Sequence, residues 1–136
     1  MDRRHFLLST AAIGVAGPAI ASSGAEYTPG LVRQELAAGK TVFVDFYTDW
    51  CSTCRAQQRV ITALKSQNPE YEANITFVSV NWDDHRNSEL SRSLNIPRRS
   101  TLVALRGDEE LGRIVAGTSQ SDIRALLDAT LSAAIA

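Results

Sequence analysis

The chain has few of the residues that specialised architectures need. Two cysteines in 136 residues are too few for a disulfide-framed scaffold. Two histidines added to them are too few for a cysteine-rich zinc module. Neither sign of charge is in surplus: 14 Lys and Arg stand against 15 Asp and Glu, a formal charge of -1. That balance disfavours a binder of nucleic acid or anionic membranes, which needs a dense basic field. No apolar run is long enough for a polytopic membrane protein, and no repeat marks a collagen or a coiled coil. What is present is a 44% hydrophobic content, which at this length suits one domain around one core.

Met1 to Ala21 reads as an export segment outside the fold. Arg3 and Arg4 form a charged start, Phe6 to Gly17 is moderately apolar, and Pro18 breaks the run. Ala19-Ile20-Ala21 then supplies the small-x-small pattern of a signal peptidase site. The apolar stretch is too short to span a bilayer comfortably. The order Arg3-Arg4-His5-Phe6-Leu7-Leu8 resembles a twin-arginine signal. An ordinary general-secretion signal and a buried first helix are the alternatives. The division expected is a signal peptide over 1–21 and a single domain over 22–136, delivered to the periplasm and not embedded in the membrane unless the signal stays uncleaved as an anchor.

Within that domain, Thr28-Pro29 predicts a helix start and Gly39 its end. Thr41 to Tyr47 is β-branched and aromatic on both faces, the composition of a central strand covered on both sides, with Asp45 its one discordant residue. A helix follows to Gln67 and stops at Asn68-Pro69. Ile75 to Val80 predicts a second strand, Asn81 to Asp84 a turn, and Asn87 to Leu94 a short helix. Thr101 to Leu105 and Leu111 to Val115 predict a hairpin about Gly107-Asp108. Ser121 to Leu131 predicts a last helix, capped by Ser119 or Ser121. Right-handed crossovers then give an α/β fold: a central mixed β-sheet, parallel inside, with an antiparallel hairpin edge and helices on both faces.

The chemistry falls at the end of the first of these strands. Cys51 and Cys54 stand two residues apart where strand passes into helix. A thiol in a helix's first turn meets unpaired N–H groups and the positive end of the dipole, both of which favour thiolate. A second thiol one turn on can reach it, resolve a mixed disulfide and leave an internal disulfide. Cys51 is the expected attacking thiol and Cys54 the resolving one. Half a zinc site, a static disulfide and haem attachment compete with this reading. No second cysteine pair exists, and position 55 is Arg where haem attachment needs His. A static disulfide closing so short a loop would stabilise little.

Val44-Asp45-Phe46-Tyr47-Thr48-Asp49-Trp50-Cys51-Ser52-Thr53-Cys54 resembles the active-site segment of the thioredoxin family. The resemblance covers nearly all of residues 22–136. It implies the thioredoxin-like fold, with the family's first strand reduced or missing, and a thiol–disulfide oxidoreductase without a bound cofactor or metal. It assigns to Asp45 the buried aspartate that assists proton transfer at the resolving thiol. A lone carboxylate in an apolar strand suits that role, since burial raises its pKa. The resemblance gives Trp50 the aromatic flanking the nucleophile, and Gly117 the glycine that ends the last strand and lets a partner's backbone approach.

Departures from the family are informative. Ser100 falls where the family has a cis-proline opposite the cysteines, followed by Thr101 and the strand. Its hydroxyl is expected to donate to a Cys51 thiolate, across a trans Arg99–Ser100 bond. The backbone N–H and C=O near Ser100 are expected to pair with an incoming chain. Because the hydroxyl and the space left by the missing ring act on the thiols, Ser100→Pro is expected to raise the Cys51 pKa and alter partner choice more than stability. Ser52 and Thr53 replace the usual Gly-Pro, and their hydroxyls are a second possible source of hydrogen bonds to a thiolate. Arg98 and Arg99 border the site and suit an acidic partner or a lowered thiol pKa, with a solvated loop pair as the alternative. The partners implied are protein dithiols and disulfides and a membrane or soluble electron donor, with the chain a monomer and no nucleic acid bound. A second reading keeps the fold and gives the same cysteines to copper or an iron–sulfur cluster for delivery.

Overall fold

The computed structural model of the chain describes residues 24–136. The expected export segment, Met1 to Ala21, lies outside the described residues.

The central strand, β2 (Thr41–Tyr47), is buried along all but its last residue. Its parallel neighbour is β3 (Thr76–Asn81), with Val44 opposite Val78. On its other side β4 (Thr101–Arg106) runs antiparallel, with Val44 opposite Val103. β5 (Glu109–Val115) closes that edge of the sheet through a tight turn at Gly107, whose φ of 57° suits glycine. The far edge is β1 (Ala25–Glu26), two residues parallel to β3, so the family's first strand is present in reduced form. The strand order is β1-β3-β2-β4-β5.

Because side chains alternate along β2, Phe43 faces one layer while Val42, Val44 and Phe46 face the other. The Phe43 layer is covered by α2 (Ser52–Gln67), α3 (Glu70–Asn74) and α6 (Gln120–Ile135), which contribute Ile61, Leu64, Tyr71, Ile123 and Leu127. The opposite layer receives Val32 from α1 (Leu31–Ala37), with Leu90 beside it from α5 (Glu89–Ser93). Asp45 points into the same layer as Phe43, toward α2. Both faces of the strand are covered, as its composition predicts.

Three local expectations need correction. α1 begins at Leu31, not at Thr28-Pro29, because Gly30 takes a left-handed φ of 88° and the Leu31 N–H closes a turn on the Thr28 carbonyl at 3.0 Å. Asn81 to Asp84 is not a simple turn. The Asn81 side chain caps a helical turn, α4 (Trp82–His85), by accepting the Asp83 N–H at 3.0 Å. Trp82 packs edge-on against Phe46, with ring centroids 6.1 Å apart. α3 goes unforeseen: Pro69 stops α2 and becomes the N-cap of the next short helix. Capping of α6 falls to Ser119, one of the two residues expected.

Candidate active site

Cys51 is the N-cap of α2. Its extended backbone lets Sγ fold back over the first turn and accept the Cys54 N–H at 3.1 Å. A sulfur thus takes the place that a serine or aspartate oxygen usually holds at a helix start, which suits a thiolate better than a thiol. Both cysteines are free and buried, so the structure shows the dithiol.

From the opposite side comes Ser100, fully buried, with Oγ 3.1 Å from Cys51 Sγ and 3.1 Å from Cys54 Sγ. Burial pushes the Cys51 thiol up, but hydrogen bonds from Cys54, Ser100, the Cys54 backbone N–H and Arg99 outweigh it and bring the pKa down to about 7. Cys54 moves the other way. Burial raises it, and the hydrogen bond and charge of Cys51 raise it further. The two thiols are therefore separated into an attacker and a proton-bearing partner. Alkylation of Cys51 by iodoacetamide should have its midpoint near pH 7 and run about a hundredfold slower at pH 5 than at pH 8.5. A midpoint near that of free cysteine would contradict this arrangement.

The other residues expected at the site fall at varied distances from the thiols. Trp50 is 58% exposed, its ring covered by the Arg99 guanidinium at 4.3 Å and its Nε1 donating to Asp83 at 2.9 Å. Ser52 is exposed and Thr53 half-buried, and the hydrogen bonds on Cys51 come from elsewhere. Thr101 is buried and uses its hydroxyl to hold the Arg98 carbonyl at 2.7 Å. Asp45 is buried, with the Gln58 amide donating to its Oδ2. Beside Cys54 opens a cleft of about 330 Å³ lined by Glu26, Tyr47, Gln58 and Ser79 among others. At Gly117 an added Cβ would lie 2.8 Å from Ile114 Cγ2, so what crowds that position is this chain's own side chain.

The structure narrows one expectation about Ser100 and argues against another. Its N–H donates to the Phe46 carbonyl at 2.7 Å, and its carbonyl accepts the Ala116 N–H at 2.8 Å and Gln57 Nε2 at 2.9 Å. The N–H and carbonyl of Ser100 itself are thus saturated from within, which confines any pairing with an incoming chain to the backbone on either side of it. Its φ is 63°, a left-handed value that proline cannot adopt, so Ser100→Pro bears on the fold first. The Arg99–Ser100 bond is trans, as expected; no described peptide bond is cis.

Gln57 is foremost among the residues that sequence reasoning missed. Fully buried on α2, it donates through Nε2 to Ser100 O and to Gly117 O at 3.0 Å. One amide thereby ties the cysteine helix to the start of β4 and the loop after β5. In the sequence it is one more good helix former between Ala56 and Gln58, with no signal of its tertiary use.

The Thioredoxin family profile matches residues 25–129. The chain belongs to the thioredoxin family. Thioredoxin-2, mitochondrial, of Schizosaccharomyces pombe is 31% identical over 86 residues, covering 63% of this chain but only 60% of that protein, under two thirds of its length. Thioredoxin 1 of Nostoc sp. is 28% identical over 108 residues, covering 79% of this chain and 96% of that protein. Among solved structures, Trxlp from Edwardsiella tarda superposes with a TM-score of 0.66 at 30% identity, covering 76% of this chain and 98% of that one. A cysteine pair so placed on the thioredoxin fold supports disulfide oxidoreductase activity.

Proposed function

We propose that this thioredoxin-family protein reduces protein disulfides in the bacterial envelope, as a monomer recharged by a membrane or soluble electron donor. The observation that carries the reading is the asymmetric pair at the head of α2, with Cys51 lowered to about 7 and Cys54 raised. The Cys51 thiolate attacks a partner disulfide, one partner sulfur leaves as thiolate, and Cys51 holds the other as a mixed disulfide. Cys54 then gives up its proton and attacks Cys51 Sγ, releasing the second partner sulfur. The partner gains two electrons and the pair becomes a disulfide. Asp45, buried in the layer that α2 covers, is the carboxylate proposed to assist the Cys54 proton.

The modest stabilisation of the Cys51 thiolate supports the reducing direction that the family resemblance implies. A strongly stabilised thiolate, with a pKa of about 3.5, favours the reduced form and makes an oxidant, whereas about 7 is the mark of a reductant. Equilibration with glutathione should give a potential near about -270 mV; a value near about -120 mV would reverse the assignment.

The envelope location rests on the sequence of Met1 to Ala21. Among the described residues no helix is long and apolar enough to cross a membrane. Fused to a reporter that must fold before export, Met1 to Ala21 should carry it across the inner membrane. Arg3→Lys with Arg4→Lys should stop it, and export that persists would point to the general secretion route. Nothing favours the delivery of copper or an iron–sulfur cluster: among the described residues no group of three or more His, Cys, Asp or Glu is placed to hold an ion.

A further inference from the structure

Ser100 brings one hydroxyl to two sulfurs, at 3.1 Å from each. The backbone beneath it is fixed by the Phe46 carbonyl, the Ala116 N–H and Gln57 Nε2, in a left-handed conformation uncommon for serine. A hydroxyl has one proton to donate and two lone pairs with which to accept. With the sulfurs equidistant, rotation about the Cβ–Oγ bond alone redirects the donor from one to the other. No backbone movement is needed.

The charge in the site also changes sulfur during turnover. In the dithiol it sits on Cys51, so Oγ–H points there and the oxygen accepts the Cys54 S–H. Once Cys51 Sγ is bonded to a partner sulfur its charge is gone, and Cys54 must carry one in order to attack. We propose that Ser100 is a catalytic residue whose hydroxyl serves the two thiolates in turn, donating to Cys51 in the dithiol and to Cys54 in the mixed disulfide. A donor positioned before the charge arrives lowers the barrier without reorganisation.

The resolving step balances without an added reagent. Cys54 loses its proton to solvent through the cleft it lines, with the assistance proposed for Asp45. Its sulfur pair forms the bond to Cys51 Sγ, the bond from Cys51 to the partner breaks, and the partner sulfur leaves as thiolate and is protonated by solvent. The cysteine pair is oxidised, the partner reduced, and Ser100 unchanged. In reverse, Cys54 is the leaving thiolate and meets the same donor.

This inference rests on the exchange reading, and one experiment separates the two. Mixing the reduced full-length chain with a dipyridyl disulfide should release thiopyridone in two phases, from attack by Cys51 and then from resolution by Cys54. Ser100→Ala and Ser100→Gly are compared with wild type as a function of pH. In both variants the midpoint of the first phase should rise by about one pH unit and the second phase should slow about tenfold. Ser100→Gly should melt at or above the wild-type temperature, because glycine is at ease at a φ of 63°, so its losses are not losses of fold. If Ser100→Gly matches wild type within about twofold in both phases, the proposal is overturned; a slowed first phase beside an unchanged second overturns it too. A wild-type chain with no second phase overturns the exchange reading itself, and the proposal with it.

Discussion

With dithiothreitol as electron source, the protein is expected to reduce an insulin-type disulfide, and Cys51→Ser is expected to reduce none. Cys54→Ser should behave differently, accumulating the partner covalently on Cys51. The difference follows from the geometry. Cys51 Sγ caps α2 and takes donors from Cys54 N–H and Ser100, so it is the sulfur that exists as thiolate near neutral pH. Cys54 is held as a thiol, and removing it leaves attack intact but deletes resolution. Non-reducing electrophoresis and mass spectrometry of each variant after exposure to substrate read both outcomes. Equal trapping by the two variants would mean that the thiols are interchangeable, and the assignment of attacker and resolver would fail.

The second large effect is on the fold. Ser100→Pro should lower stability by more than about 3 kcal/mol, summing a lost buried hydrogen bond and a backbone that must be rebuilt. Proline holds φ near about -65°, whereas Ser100 stands at 63°, and it has no N–H for the Phe46 carbonyl now accepting one at 2.7 Å. Thermal unfolding of the reduced protein should show Tm falling by more than about 10 °C. An unchanged Tm would show that this segment can rearrange around a proline at little cost.

That case shows where the sequence was legible. Alignment places Ser100 opposite the cysteines, and the structure puts its oxygen between the two sulfurs. Serine, unlike glycine, gives no sign of a left-handed backbone, so its φ and its saturated backbone were invisible. β2 could be read because burial on both faces demands apolar residues throughout, and α2 because its start and stop are marked by Cys51 and Asn68-Pro69. β1 has two residues, too few for any periodicity, and only its pairing with β3 defines it. α4 is a single turn closed by a side-chain cap, locally indistinguishable from the turn expected there. Gln58 and Asp83 were beyond reach for another reason. Each acts by a hydrogen bond to a residue far off in sequence, Asp45 and Trp50 respectively.

The remoteness of the donors on Cys51 has a consequence for timing. Only the N–H and thiol of Cys54 are local; the Ser100 hydroxyl comes from 49 residues away along the chain, and it is held by Gln57 and by Ala116 beyond β5. Until β4 and β5 have docked on β2, the nascent polypeptide carries two ordinary thiols, largely protonated at neutral pH. Its nucleophile is fully armed only once those strands are in place, so a half-made chain should attack disulfides more slowly than the folded protein.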